Sequence, residues 1–326
     1  MKQRRFGKTG RMVSEIGLGT WQLGTRWGDP FNREEAFKIL ETAEREGITF
    51  IDTADVYNNG KSEETIGEFL QTRPDRFFIT TKCGRRLSPH TDEMYTPERI
   101  SEFIQDSLRR LQSEKINLIL LHCPPTSVYA RDDIFSELER QKQKGTILNY
   151  GVSIEKVAEG LQAMEYGISA MEVIFNMLRL KPLDKLFPLA AQKDVGIIAR
   201  VPLASGILTG KYDHSTQFGP NDHRTFNREG ASFDKGETFS GVPYELGLRF
   251  AEELKRIFGT DDLGPIAIRW ILMFSAVSTV IPGASKAVQV AENVKAAELE
   301  PLTEEQMQKV RGLYDELLRE AIHPQW

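Results

Sequence analysis

Eight short apolar runs recur along the chain, and helical patterns separate most of them. They cover residues 16–20, 48–52, 77–82, 116–122, 150–152, 171–175, 195–201 and 277–281. Short apolar runs between turn residues are typical of buried strands. Strands that alternate with helices pair in parallel through right-handed crossovers. Eight such units predict an α/β fold, a closed (β/α)8 TIM barrel with its functional residues at the carboxyl ends of the strands.

A doubly wound parallel sheet is the structural alternative. That fold usually has fewer strands and, in a nucleotide-binding enzyme, a GxGxxG turn after the first strand. The first run here reads Gly17-Leu18-Gly19-Thr20-Trp21-Gln22, so the third glycine is absent. The barrel is therefore the better prediction.

One domain over residues 1–326 is expected, with three additions to the repeated units. Residues 1–15 contain a turn at Gly7-Lys8-Thr9-Gly10 and predict a hairpin that closes the barrel bottom. Residues 212–241 form a long polar loop after the seventh strand. Loops of this length are usually functional lids or disordered, and we favour a lid. Residues 302–326 are expected to form a C-terminal helix and tail.

Composition excludes several classes of protein. The formal net charge of −5 offers no basic face for nucleic acid. No apolar stretch approaches the roughly 18 residues of a membrane span, and no signal peptide is expected at the N-terminus. Cys83 and Cys123 are the only cysteines, which favours a reducing cytoplasm. The five histidines lack metal-ligand spacing, so no metal is expected. The oligomeric state stays open, with a monomer as one possibility.

Three of the apolar runs end on ionisable side chains. These are Asp52, Lys82 and His122, and Tyr57 follows the acid by five residues. Tyrosine has a reference pKa of roughly 10, which a neighbouring ammonium lowers. Asp52 could hold Lys82 charged, and His122 could donate a hydrogen bond to a substrate oxygen. The set suits protonation of an oxygen that gains negative charge, with the electron pair supplied by a hydride cofactor.

The chain as a whole resembles the aldo-keto reductases. The matching motifs include Ile16-Gly17-Leu18-Gly19-Thr20, Phe50-Ile51-Asp52-Thr53-Ala54-Asp55-Val56-Tyr57, Leu121-His122-Cys123-Pro124, Gly151-Val152-Ser153 and Ile281-Pro282-Gly283. The resemblance implies NADP(H)-dependent reduction of a small-molecule aldehyde or ketone. It maps the family's catalytic tetrad onto four residues: Asp52, Tyr57, Lys82 and His122. In that mapping Tyr57 is the general acid and His122 orients the carbonyl.

The same resemblance implies a set of cofactor contacts. Ser153 would bind the nicotinamide carboxamide, and Lys286 with the N-terminus of its helix would meet the 2′-phosphate. Glu292 and Asn293 would bind the adenine. The remaining implied contacts are Thr20, Trp21, Glu172, Arg200, Pro202, Leu203, Ser205, Gly206, Gly283, Ser285 and Gln289.

Three residues depart from the family pattern, and all lie at the implied nicotinamide site. Ile154 replaces the common Asn, Glu172 the common Gln, and Arg200 the common aromatic ring. Glu172 and Arg200 fall on neighbouring predicted strands and should both point into the barrel. Because an unpaired charge there is costly, we hypothesise an ion pair beneath the nicotinamide. The planar guanidinium of Arg200 could then stack in place of the missing ring.

Two other functions remain open beside the reductase. A regulatory subunit could use the same cofactor site to sense redox state, and Lys82 could form a Schiff base with a carbonyl substrate. Asp52 argues against the Schiff base, because a charged lysine is a poor nucleophile. The sequence does not identify the carbonyl substrate.

Overall fold

A computed structural model describes residues 1–25 and 29–326. The strands are β1 Gln3–Arg5, β2 Met12–Ser14, β3 Leu18–Gly19, β4 Phe50–Asp52, β5 Phe78–Cys83, β6 Leu118–His122, β7 Tyr150–Ile154, β8 Ala170–Ile174, β9 Gly196–Arg200 and β10 Val277–Val280. The α-helices are α1 Arg33–Arg45, α2 Lys61–Leu70, α3 Pro97–Leu111, α4 Asp132–Gln143, α5 Val157–Ala163, α6 Leu186–Gln192, α7 His223–Phe226, α8 Tyr244–Phe258, α9 Gly264–Leu272, α10 Ala287–Val294, α11 Glu304–Leu317 and α12 Arg319–Ile322. In this described part of the chain, no helix is both long and apolar enough to cross a membrane.

The strands β3 to β10 form one parallel sheet in chain order. Parallel bridges join Ile16 to Val280 and Gly19 to Gly283, so the first strand meets the last. The (β/α)8 barrel predicted from the eight apolar runs is thereby confirmed.

Alternate residues of each strand face the barrel interior, because side chains on a strand point to opposite faces. Inside, Phe50, Phe78, Leu118, Leu120, Ala170 and Ile198 form one apolar cluster with Phe6. The intervening residues belong to a second, larger core between strands and helices, which includes Ile79, Ile119, Leu121 and Ile197. The position two residues after each interior apolar residue is therefore the next to face inward.

The hairpin of β1 and β2 closes the barrel bottom as predicted. Its strands are antiparallel, and the turn carries Phe6 into the interior. The Phe6 ring makes edge contacts with Phe50 and Phe78, each with ring centroids 5.4 Å apart. Gly7 has φ 47°, and a Cβ there would lie 2.2 Å from the backbone nitrogen of Gly196. Only glycine fits this turn without displacing β9.

Local sequence explains where the predicted helices begin. The Asn32 side chain accepts a hydrogen bond from the backbone N–H of Glu35 and caps α1. Thr96 caps α3 in the same way through Arg99, and Pro97 occupies the first helical position. Each cap gives a partner to a backbone N–H that has none within its own helix.

The long segment 212–241 crosses the top of the barrel. It contains the short helix α7 and single turns at Lys235–Glu237 and Phe239–Gly241. Glu237 reaches inward from the first of these turns and bonds to Arg85. The side chain of Asn176 donates to Ser240 Oγ at 2.7 Å and holds the second turn. The segment therefore contributes a side chain to the barrel mouth.

Candidate active site

Three strand ends bring an acid, an amine and an imidazole to the barrel mouth. Asp52 ends β4, His122 ends β6, and Lys82 lies one residue before the end of β5. Lys82 Nζ lies 2.5 Å from Asp52 Oδ2 and donates to the Thr53 carbonyl at 3.0 Å. Its third neighbour is the hydroxyl oxygen of Tyr57 at 3.3 Å. The four residues predicted from strand ends and from family resemblance thus lie together at the barrel mouth.

Glu172 puts a second carboxylate beside the same amine. Its Oε2 lies 3.3 Å from Lys82 Nζ, and both side chains are buried. Burial and the charge of Glu172 raise the pKa of Asp52 well above its usual range, against the lowering effect of Lys82. Burial alone would lower the pKa of Lys82, but the two carboxylates raise it, so the amine stays an ammonium. The predicted support of Lys82 by Asp52 is shared with Glu172.

The expected lowering of the Tyr57 pKa is corrected by the structure. Lys82 does lower it, but burial has the larger effect and raises the pKa well above the ordinary value. Asp52 and Glu172 raise it further. Tyr57 is therefore a neutral phenol rather than a phenolate.

His122 has a neighbour that the sequence interpretation did not include. Its Nε2 lies 3.3 Å from Nη1 of Arg85. Arginine can only donate, so this contact makes Nε2 the acceptor and places the ring proton on Nδ1. Burial and the nearby cations, Arg85 first, lower the pKa of His122 well below its usual range. The predicted donation from His122 to a substrate oxygen thus requires Arg85 to move.

Arg200 also has a different principal partner from the one expected. Its Nη2 donates to Glu155 Oε1 at 2.7 Å and to the Ile154 carbonyl at 3.2 Å. Its Nε lies 3.8 Å from Glu172 Oε1, which is an ion pair without a hydrogen bond. The predicted Glu172–Arg200 pair is therefore present only as the longer contact. Glu172 lies nearer to Lys82, and Glu155 anchors the guanidinium.

Two carboxylates close the cluster. Burial and the charge of Glu237 raise the pKa of Glu155 to about 7, although Arg200 opposes the shift. Burial would also raise the pKa of Glu237, but Arg85 and Arg200 lower it to about 2. Glu237 is accordingly a charged carboxylate bonded to Arg85 at 2.7 Å, with Arg200 at 3.7 Å.

The sequence interpretation missed Arg85, Glu155 and Glu237. Glu155 follows directly after β7, so the strand-end rule that found Asp52 could have found it as well. Arg85 follows Lys82 by three residues, beyond the end of its strand. Glu237 lies deep in the long segment 212–241, where no periodic pattern marks it.

Cys123, Glu155 and Glu237 also bring potential metal ligands within 4.8 Å of one another. Both carboxylates already bond to guanidinium groups, of Arg200 and Arg85 respectively. A cation would therefore have to displace two arginines, and the expectation of no metal stays a prediction.

One cleft of about 310 Å³ runs from this cluster along the barrel mouth. Thirteen of the predicted site residues line it: Thr20, Trp21, Asp52, Tyr57, His122, Glu172, Arg200, Pro202, Leu203, Ser205, Gly206, Gly283 and Gln289. Lys82 is buried beneath it, and Ser153 is buried with its hydroxyl 3.4 Å from the thiol of Cys123. Glu292 and Asn293 are on α10 outside the cleft lining.

The wall of this cleft contains left-handed backbone. Val201, Ala204 and Ser205 have φ values of 54°, 47° and 55°, and Gly206 has φ 103°. A β-branched residue such as Val201 rarely adopts this conformation, which costs roughly 1–3 kcal/mol. Strain of this kind tends to occur at ligand sites. These left-handed residues bend the chain after β9 around the predicted cofactor contacts.

The predicted phosphate site has internal partners. Ser285 and Lys286 line a second cleft together with Glu35 of α1. The Gln289 side chain accepts from the backbone N–H groups of Ser285 and Lys286, and Glu35 accepts from that of Ala287 at 3.1 Å. The N–H groups expected to bind a 2′-phosphate are thus already used, and one of them by a carboxylate.

The lining of the main cleft nevertheless suits the nicotinamide half of a dinucleotide. The cleft joins the tetrad to Gly283, where a Cβ would have no neighbour within 4 Å. Near the tetrad, the Nε of Arg200 is buried and has no hydrogen-bond partner among the described residues. The nicotinamide end therefore has room and unsatisfied polarity, whereas the 2′-phosphate end requires rearrangement of Glu35 and Gln289.

The barrel fold and the cluster of charged side chains at its mouth together define an oxidoreductase of the aldo-keto reductase type. The model of the aldo/keto reductase family matches residues 15–315. The chain belongs to that family.

Known proteins resemble this chain over nearly its whole length. It is 29% identical to the uncharacterized oxidoreductase YqkF of Bacillus subtilis over 316 residues, which are 96% of each chain. It is 28% identical to a probable voltage-gated potassium channel subunit beta of Arabidopsis thaliana, over 93% of each. The holo form of the aldo-keto reductase AKR11C1 from Bacillus halodurans superposes with a TM-score of 0.77, at 28% identity and 99% coverage of both chains.

Proposed function

We propose that this protein reduces an aldehyde or ketone with NADPH and that Tyr57 is the general acid. The observation that carries the proposal is the contact of Tyr57 with Lys82, an ammonium kept charged by Asp52 and Glu172. This arrangement offers one phenolic proton at a cleft of about 310 Å³ in the barrel mouth. The fold alone would not distinguish this activity from other barrel chemistry.

The proton transfer follows from the side chains. Tyr57 donates a hydrogen bond to the carbonyl oxygen and gives up its proton as negative charge develops there. The ammonium of Lys82 donates to the phenolic oxygen and stabilises the phenolate that forms. Asp52 and Glu172 keep the ammonium in position. The chemistry that a reduced nicotinamide supplies, when bound, is hydride transfer to the carbonyl carbon. Ser153, Glu172 and Arg200 would hold its ring.

The test is a panel of neutral aldehydes and ketones, assayed by loss of NADPH absorbance with a no-substrate control. Tyr57→Phe should lower the rate by roughly 10²–10⁴, the usual contribution of a general acid. The affinity for NADPH should barely change, because the ring of the side chain is retained.

Tyr95→Phe is the matched control. Tyr95 is also buried, and its hydroxyl bonds to His90 at 2.8 Å rather than to the tetrad. Its replacement should leave turnover nearly unchanged. Near-normal carbonyl reduction by Tyr57→Phe would remove Tyr57 from the acid role.

A regulatory subunit that binds the cofactor is the second candidate. The similarity to a probable potassium channel subunit beta favours it. Such a protein would bind NADPH, turn over carbonyls poorly and co-purify with a partner protein. Rapid turnover by the isolated chain would favour the enzyme. We also propose a reducing, cytoplasmic location, because both cysteines are free and buried.

A further inference from the structure

Arg85 lies beside the predicted tetrad, and its two side-chain partners come from the end of β6 and from the segment 212–241. Its Nη1 contacts His122 Nε2 at 3.3 Å, and its Nη2 bonds to Glu237 at 2.7 Å. Arg200, by contrast, is tied to Glu155 and to a β7 carbonyl. Within residues 1–25 and 29–326, Glu237 is the only carboxylate bonded to Arg85.

The carboxylate of Glu237 comes from the segment over the mouth rather than from the barrel. Glu237 lines the cleft, whereas the Arg85 side chain is 22% exposed and is held by Glu237 at 2.7 Å. Withdrawal of Glu237 would leave a buried cation beside a neutral imidazole. Burying an unpaired charge is costly, so another anion is needed in its place.

We propose that Arg85 binds a carboxylate of the substrate and that Glu237 occupies this position until the substrate arrives. The substrates are then carbonyl compounds with a carboxylate on the carbonyl carbon or one carbon away, such as 2-oxo acids. This inference rests on the proposed carbonyl reduction.

The distances fit such a molecule. A carbonyl oxygen bonded to Tyr57 and His122 would lie one hydrogen-bond length from Nε2, or roughly 3 Å. Arg85 Nη1 lies 3.3 Å from the same nitrogen. The guanidinium is therefore at most roughly 6 Å from that oxygen, within reach of a carboxylate on an adjacent carbon. Its planar fork suits two-point bonding to a carboxylate.

Binding of the anion would also prepare His122. While Arg85 donates to Nε2, that nitrogen cannot donate to the carbonyl. A substrate carboxylate that draws the guanidinium away allows the ring proton to move from Nδ1 to Nε2. The contact between Arg85 and the substrate carboxylate would thus favour acids over neutral carbonyls. It would also allow His122 to donate a hydrogen bond to the carbonyl oxygen.

The experiment compares each acid with its methyl ester, so that size and carbonyl chemistry stay matched. Pyruvate with methyl pyruvate and glyoxylate with methyl glyoxylate are the pairs, assayed with NADPH. The wild-type protein should have the higher kcat/KM for each acid. Arg85→Met should lower kcat/KM for the acids by roughly 10- to 100-fold, as expected for a lost charge-assisted hydrogen bond. The esters should lose no activity, because removal of Arg85 leaves His122 Nε2 free to bond to their carbonyl oxygen.

Two further variants sharpen the result. Glu237→Gln removes the competing charge and should raise kcat/KM for the acids several-fold. Arg86→Met is the matched control, because Arg86 bonds to Asn59 on the surface, whereas Arg85 bonds to His122 and Glu237. It should leave the preference for acids intact. Thermal unfolding of each variant checks that the fold is retained.

Oxamate, an unreactive acid of the same shape, gives a readout that does not need turnover. It should bind the NADPH-loaded wild type and weaken roughly 10- to 100-fold in Arg85→Met. Equal losses for acid and ester in Arg85→Met would overturn the inference, as would wild-type reduction of the esters without a preference for acids. No reduction of any carbonyl would instead refute the proposed function. In that case, oxamate binding to the wild type and to Arg85→Met still tests whether Arg85 binds an anion.

Discussion

At the bottom of the barrel, Phe6, Phe50 and Phe78 pack as three rings. Two residues further along β4, the inward side chain is Asp52 and its partner is an ammonium. The same step separates Ile198 from Arg200 on β9. One end is held by apolar contact, which stabilises without further partners. The other contains buried charges, each of which needs a partner to be tolerated. Stability and chemistry are thus separated along the same strands.

The largest effect is expected at the bottom. Phe6→Ala should lower the free energy of unfolding by about 3–5 kcal/mol, as for other buried Phe residues. Activity per folded molecule should stay near normal, because the tetrad lies above the ring layer. Urea unfolding measures the first quantity and carbonyl reduction well below the unfolding transition the second. Phe226→Ala, at a 36% exposed ring, is the control and should cost far less. A parallel loss of activity in Phe6→Ala would show that the two ends are coupled.

At the top of the barrel, the pairing of charges should determine how far each substitution lowers the free energy of unfolding. Double-mutant cycles compare Arg200→Tyr with Glu155→Gln and Arg200→Tyr with Glu172→Gln. The coupling energy with Glu155 should be about 1.5–3 kcal/mol, since that pair is a charge-assisted hydrogen bond at 2.7 Å. The coupling energy with Glu172 should be smaller, about 0.5 kcal/mol, since that ion pair is 3.8 Å long. Stability by urea unfolding is the measurement. A larger coupling energy with Glu172 than with Glu155 would support the Glu172–Arg200 ion pair that was expected from the sequence.

The smallest effects are expected at the rim, where side chains are exposed. Lys286→Ala should weaken NADPH binding by roughly tenfold and leave NADH almost unchanged. Glu35→Gln should tighten NADPH by roughly threefold, because it removes a negative charge beside the 2′-phosphate. Calorimetric titration with both cofactors measures each value. Lys295→Ala, at the other end of α10, should change neither. Equal weakening of both cofactors in Lys286→Ala would place the phosphate elsewhere.

The eight strands could be predicted because barrel strands are short, apolar and separated by helices with their own period. Asp52, Lys82 and His122 could be found because each lies at or beside a strand end, where the backbone fixes the direction of the side chain. Tyr57 lies in the loop after β4 and was identified through family resemblance together with its chemistry.

The partners of these residues could not be predicted in the same way. Arg85 and Glu237 meet from segments far apart in the chain, and neither has a period that sets its direction. The pairing of Arg200 depended on a choice among Glu155, Glu172 and Glu237, which only distances decide. The occupation of the Ala287 N–H group by Glu35 joins two helices at opposite ends of the sequence.

The Phe6 hairpin also closes the lower end of the barrel interior with apolar side chains. The ring layer of Phe6, Phe50 and Phe78 offers no polar group to conduct water from below. In the mechanism that we propose, the proton given up by Tyr57 would be replaced through the mouth, by the same route that would admit substrate and release product. Proton resupply and product departure then compete for one passage, and a ligand that lingers in the mouth delays both.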